Sequence, residues 1–195
     1  MQLAGAVVLV TGASRGIGAA TARALAAAGA TVVCSGRDAA ALTAVAEPLG
    51  ASLLTADLRD PAAAAELVRS TVERHGRLDA VVANAGIGHA GPVAAMTAER
   101  VAELVDVNVR AQLLLARAAA TRMTAQAAAD PGWTGRIVFL SSIAGAVGVP
   151  GESVYSATKA ALEAFAPLLG EELRASRVGV STVLPGVVDL SLIHI

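Results

Sequence analysis

The chain has 195 residues, enough for one domain with a core of its own. Hydrophobic residues make up 55 % of it and aromatics only 2 %, so the core must be built from Val, Leu, Ile and Ala, and disorder is excluded. A net charge of −1, with no basic stripe and no run of stacking aromatics, argues against a nucleic-acid partner.

Met1-Gln2-Leu3-Ala4-Gly5 carries no charged leader and no cleavage site, so no signal peptide is expected. A buried strand is predicted at residues 6–11, where Val7, Val8, Leu9 and Val10 run without polar interruption, as when both faces of a sheet are covered. Residues 16–28 read as a helix closed by Gly29. The second strand is residues 31–35. It holds Cys34, the single cysteine, read as a small buried hydrophobe; one thiol precludes an internal disulfide and fits a reducing compartment. Asp38 caps a helix over 38–49, and Ser52–Thr55 is a short third strand. Asp60-Pro61 opens a helix to His75. Residues 79–83 form the fourth strand, 97–123 one long helical region, and 126–135 a surface loop. The fifth strand is 136–140, a helix covers 153–175, and the sixth strand is 178–184.

Strands and helices alternate throughout, which predicts an α/β fold: a doubly wound parallel sheet with strand order 3-2-1-4-5-6 and the site at the carboxyl ends of the strands. No repeat or linker divides residues 1–189, which read as a single domain. No apolar run reaches the ~18 residues of a membrane helix. A cytoplasmic protein is expected. His75, His89 and His194 lack metal-ligand spacing and are expected on the surface or in loops, so no metal is predicted.

The first strand leads straight into Thr11-Gly12-Ala13-Ser14-Arg15-Gly16-Ile17-Gly18. Glycines there allow a sharp turn and a close approach of backbone to a phosphate. The helix that follows aims free N–H groups and its positive dipole end at an anion. Further on, Tyr155 and Lys159 stand four apart and share one helix face. An unperturbed phenol, with a pKa near ~10, is a poor acid–base catalyst at neutral pH. A neighbouring ammonium is expected to lower it, and a drop of two or three units asks for about 3–4 kcal/mol of differential interaction. Asn108 sits in the middle of a predicted helix, where an amide has no propensity reason to be.

Together these features resemble the short-chain dehydrogenase/reductases, in their single-domain branch built on the Rossmann fold. The likeness continues at Asp57-Leu58, Asn84-Ala85-Gly86, Asn108, Ser142 and Pro185-Gly186, and covers nearly the whole chain. It implies that Gly12, Ser14, Arg15, Gly16, Ile17 and Gly18 hold a dinucleotide and that Asp57 and Leu58 bound its adenine. It also brings Asn84, Ala85, Gly86, Tyr155, Lys159, Pro185, Gly186 and Val188 to the cofactor. Tyr155 would give a proton to the carbonyl oxygen as hydride reaches the carbon. Lys159 would hold the nicotinamide ribose, Ser142 would orient the substrate oxygen, and Asn108 would bind a water linking Lys159 to solvent. Where relatives carry two asparagines before Ala-Gly, this chain has Ala83 and Asn84. The remaining Asn84 can still tie its strand to the neighbour.

At the end of the second strand a carboxylate would bond the adenosine ribose and repel a 2′-phosphate. This chain has Gly36 and then Arg37, with Arg15 nearby in the glycine turn, so NADP(H) is expected over NAD(H). Asp57 has an alternative reading as a helix or turn cap. The activity implied is reduction of a ketone or aldehyde to an alcohol, or the reverse, in the manner of 3-oxoacyl reductases, with a small-molecule substrate. A non-catalytic dinucleotide sensor or scaffold is the alternative from another class; the presence of Ser142, Tyr155 and Lys159 weighs against it. Family members commonly assemble through two long helices, so a homo-oligomer is expected.

Relatives continue past Pro-Gly into a substrate-covering segment and a seventh strand. Here Leu190-Ser191-Leu192-Ile193-His194-Ile195 follows Asp189 and reads like the translation of a sequencing-library adapter. The expectation is a longer native protein and a non-native tail at 190–195.

Overall fold

Val7–Thr11 (β1) is buried at every position, as its unbroken apolar run requires of a central parallel strand. The computed structural model describes residues 2–186. In chain order β1 is followed by Gly16–Ala27 (α1), Thr31–Gly36 (β2), Ala39–Ala46 (α2), Ser52–Thr55 (β3), Ala63–His75 (α3) and Ala80–Ala83 (β4). Then come Ala98–Val105 (α4), Asp106–Arg110 as a π-helical turn, Ala111–Ala129 (α5), Gly135–Leu140 (β5), Ile143–Ala146 (α6), Ser153–Glu172 (α7) and Val178–Val183 (β6). The strands form one sheet in the order β3-β2-β1-β4-β5-β6, all neighbours parallel, as the alternation predicts.

Alternation along β1 divides the core in two. Val7 and Leu9 face α3, α5 and α7 in a cluster with Val81, Ile137 and Phe139. Val8 and Val10 face α1 and α2 in a cluster with Val32, Cys34 and Leu42. Cys34 is fully buried, and burial pushes its thiol up to about 11, so it behaves as the apolar filler expected.

Both ends of the β1–β4 pair are pinned. At the lower end the buried Asp79 carboxylate accepts from the Val7 N–H at 2.8 Å, from Trp133 Nε1 at 2.7 Å and from Arg77 Nη2 at 2.7 Å. At the upper end the Thr11 hydroxyl donates to the Val82 carbonyl at 3.3 Å and accepts from the Asn84 and Ala85 N–H groups at 3.1 and 3.2 Å.

Several expected boundaries move, each for a local reason. The region 97–123 is not one helix: the π turn interrupts it, and α5 runs on to Ala129. Contacts with the start of β4 hold that extension, since Gln126 Oε1 accepts from the Leu78 N–H at 2.9 Å and Nε2 donates to its carbonyl at 2.8 Å. The first four residues of the supposed surface loop at 126–135 are therefore helix, and its Trp133 is buried against Asp79. Asp60 caps a turn, accepting from the Ala62 N–H at 2.9 Å, and α3 begins after it. Asp38 caps α2 as expected, through the Ala41 N–H at 3.0 Å, but Pro48 lies in a separate 3₁₀ turn, Glu47–Leu49. The last long helix ends at Glu172, before a 3₁₀ turn at Arg174–Ser176. Among the described residues no helix is long and apolar enough to cross a membrane.

Candidate active site

A cleft of about 760 Å³ opens at the carboxyl ends of β1, β2, β4 and β5. Its first wall is the glycine turn. Gly12 and Gly16 adopt φ of 64° and 57°, the left-handed region that a Cβ disfavours. A Cβ on Gly12 would lie 2.8 Å from Asn84 Nδ2 and 2.9 Å from Ala85 Cα. One on Gly18 would overlap the Gly12 carbonyl oxygen, so α1 starts directly against the turn. Arg15 precedes that helix in extended conformation and makes no side-chain cap, leaving the first-turn N–H groups without a side-chain partner. The Asn84 amide secures the opposite side by donating to the Thr11 and Gly12 carbonyls at 2.9 and 3.2 Å. Gly18→Ala is accordingly expected to cost about 1–3 kcal/mol of stability by overpacking. Urea unfolding will measure that cost, and dinucleotide titration the accompanying loss of affinity.

Ser14, Arg15, Ile17, Arg37, Asp57 and Leu58 line the same end of the cleft. Asp57 is paired: its carboxylate lies 2.5 Å from Arg59 Nη2 and also accepts from the Arg59 N–H at 3.0 Å. Those bonds, with a smaller pull from Arg37, hold it down at about 2. Asp57 therefore caps its own turn as well as facing the cleft. Asp38 points its carboxylate at the α2 N-terminus.

The second wall is built from β5, α6 and α7. Ser142 follows β5 by two residues and accepts from the Ala144 N–H at 3.2 Å, capping the short helix α6 that sequence reading missed. Ser141 points elsewhere, donating toward the Lys159 carbonyl at 3.2 Å and Glu163 Oε1 at 2.9 Å. Strand alternation thus separates the two hydroxyls as expected. Lys159 is 5 % exposed, and its ammonium donates to the Leu140 carbonyl at 2.8 Å. Burial draws it down to about 8.

Tyr155 departs from expectation. Its phenol is pushed up, not down: burial is the main cause, the Glu152 carboxylate adds to it, and the hydrogen bond with Ser142 acts the other way. Lys159 Nζ stands 5.8 Å from the Tyr155 ring centroid and is bound to a carbonyl, so it does not offset the burial.

Asn108 lies behind the wall and is fully buried. Its Oδ1 accepts from the Ile87 N–H at 2.9 Å, and Nδ2 donates to the Ile87 carbonyl at 2.8 Å and Thr158 Oγ1 at 3.1 Å. Its place in a π turn, a distortion frequent at functional sites, supplies the reason for the mid-helix amide. Ala85, Gly86, Pro185 and Gly186 line the cleft; Gly16 and Gly18 belong to the turn but are not among its lining residues; Val188 and the tail 190–195 lie outside the described residues.

A family model described as short chain dehydrogenase matches residues 6–194. The chain belongs to the short-chain dehydrogenase/reductase family. It is 37 % identical over 193 residues to an uncharacterized oxidoreductase of Methylorubrum extorquens, covering 96 % of this chain and 75 % of that protein. It is 35 % identical over 186 residues to the 3-oxoacyl-[acyl-carrier-protein] reductase of Synechocystis, covering 92 % and 73 %. The solved 3-ketoacyl-(acyl-carrier-protein) reductase of Brucella melitensis, complexed with NADH, superposes with a TM-score of 0.93 at 29 % identity, covering 98 % of this chain and 79 % of that one.

The dehydrogenase cleft also holds residues that its sequence did not single out. His89, expected as a surface or loop residue, lines the outer end with Arg100 and Glu152. Their spacing carries no signal, because His89 and Glu152 stand on loops and Arg100 on α4, brought together only by the fold. His75 closes α3 and shares a hydrogen bond of 3.0 Å with Ser52 Oγ. His194 is outside the described residues, and among those described no cluster of metal-ligating side chains occurs.

Proposed function

We propose that this dehydrogenase reduces a ketone or aldehyde to an alcohol, or runs the reverse oxidation, with NADP(H) preferred. The observation that carries the proposal is one cleft with the glycine turn on one wall and Ser142, Tyr155 and the buried Lys159 on the other. A dinucleotide fits the donor set: uncapped N–H groups at α1, two guanidiniums, and a turn whose left-handed glycines leave room for close approach. A nicotinamide dinucleotide held there supplies or accepts the hydride.

The protein's own groups account for the proton and the orientation. Ser142 donates to the substrate oxygen and fixes it beside Tyr155. A phenol held above its ordinary range stays protonated at neutral pH, which suits an acid that delivers its proton as the oxygen gains charge. Lys159, held by the Leu140 carbonyl on the same wall, would bind the hydroxyls of the nicotinamide ribose. Gly12, Ser14, Gly16, Ile17 and Gly18 serve the pyrophosphate, Leu58 and Asp57 the adenine, and Asn84, Ala85, Gly86, Pro185 and Gly186 the nicotinamide half. A ketone substrate is supported by the Synechocystis relative, a 3-oxoacyl reductase by name.

The preference for NADP(H) rests on charge. Gly36 offers no carboxylate, Asp38 and Asp57 are engaged with Ala41 and Arg59, and Arg15 and Arg37 line the cleft beside Ser14. Two solved neighbours carry NADH and NAD, the cofactor without the 2′-phosphate, so the preference for NADP(H) is argued from this chain's own residues. The decisive experiment follows absorbance at the reduced-nicotinamide band with a panel of ketones and 3-oxoacyl thioesters. We expect kcat/KM for NADPH to exceed that for NADH by about tenfold or more, and Arg37→Glu to erase the difference. An NADH preference would refute the assignment. Tight dinucleotide binding with no reduction of any carbonyl would favour the sensor reading.

A further inference from the structure

Gln112 is the second residue of α5, one turn beyond Asn108, and is 1 % exposed. Its Nε2 donates to two main-chain carbonyls, Ala85 at 2.7 Å and Val107 at 3.0 Å. Its Oε1 has no hydrogen-bond partner among the described residues. Turning the amide over would set that oxygen against two carbonyl oxygens, so the orientation is fixed by the acceptors. The side chain is therefore oriented by its NH₂ end.

The two carbonyls belong to the two pieces on which the site depends. Ala85 is in the segment that leaves β4 and lines the cleft. Val107 is in the π turn that carries Asn108. Asn108 in turn grips Ile87 by both its N–H and its carbonyl. Residues 85 and 87 are thus held by two amides from neighbouring helical turns, with Gly86 between them. The spot a Cβ would occupy on Gly86 is 3.3 Å from Lys159 Nζ and 3.3 Å from Asn108 Oδ1, so little slack remains there. A π turn holds one residue more than an α turn. If it relaxed, Asn108 would rotate by about 100° and lose Ile87.

We propose that Gln112 is a positioning residue: it locks the π turn against the exit of β4, so that Asn108 meets Ile87 and the Gly86 backbone stays against the Lys159 ammonium. The kinetic part of this proposal rests on the carbonyl-reductase reading; the geometric part does not.

The test combines Gln112→Met, which keeps length but removes the donor, with Asn108→Ala and the double variant, all in the full chain with NADPH. Gln112→Met is expected to lower kcat about tenfold with KM for the carbonyl nearly unchanged, and to add less than about twofold in the Asn108→Ala background. By NMR, the Asn108 side-chain NH₂ protons should exchange at least about tenfold faster in Gln112→Met. Losses that simply multiply, or Asn108 exchange unaffected by the substitution, would overturn the proposal. If Gln112→Met does not fold, the unmodified chain decides. The Gln112 and Asn108 NH₂ protons must then exchange through one shared opening, and unrelated rates would overturn it. If no carbonyl is reduced by the unmodified chain, the functional reading fails while the exchange measurements still judge Gln112.

Discussion

Tyr155→Phe is expected to lower the rate of carbonyl reduction by about 10²–10⁴-fold while NADPH still binds. Tyr155 is the only tyrosine in the chain, so no second phenol stands ready to replace it. The Phe ring keeps the packing of α7 and removes only the hydroxyl that meets Ser142. Dinucleotide contacts on the glycine turn are on the other wall and stay intact. Steady-state rates together with a fluorescence titration of NADPH separate the two effects. A variant that reduces its ketone at the original rate would remove Tyr155 from the chemistry.

Lys159→Met is expected to lose activity by a comparable factor and yet gain stability at neutral pH. Burial lowers the folded-state ammonium from 10.5 to about 8. Between those values the unfolded chain binds more protons than the folded one, so stability climbs as pH rises through the window. Below pH 8 the full penalty stands, at about 3 kcal/mol for a shift of that size. Methionine removes the penalty but leaves the Leu140 carbonyl without its 2.8 Å donor, which returns about 1–3 kcal/mol. The expected net gain is roughly 0–2 kcal/mol at pH 7, turning into a loss near pH 10.5. Urea unfolding across pH 7 to 10.5 measures it. A difference between the two proteins that does not change with pH would contradict a buried ammonium at residue 159.

Much of the architecture could be read from local pattern. The continuous apolar run of β1, the glycine turn behind it and the repeated strand–helix alternation specify a parallel sheet, and the connection rules restrict its order. The i, i+4 placement of Tyr155 and Lys159 was equally legible, since helical geometry alone puts them on one face. What escaped depends on residues far apart in sequence. Helix α5 runs on to Ala129 because Gln126 finds Leu78, and Trp133 is buried because Asp79 waits for its indole. The π turn depends on Gln112 meeting Ala85. Glu152 and His89 join the cleft through loop geometry, which has no period to detect. The Tyr155 phenol shifts opposite to the sequence expectation for a related reason: helical spacing puts the ammonium near the ring, but gives neither the depth of burial nor the Leu140 carbonyl that claims Lys159.

Asp79 at one end and Thr11 with Asn84 at the other rivet the two central strands together. The floor of the cleft cannot breathe without breaking buried hydrogen bonds at both rivets. Elsewhere the Gly91 N–H reaches the Gly151 carbonyl at 2.7 Å and joins the segment after β4 to the segment before α7. A single main-chain bond is far easier to open than the doubly pinned central strands, so local opening is expected at this link before it reaches the floor.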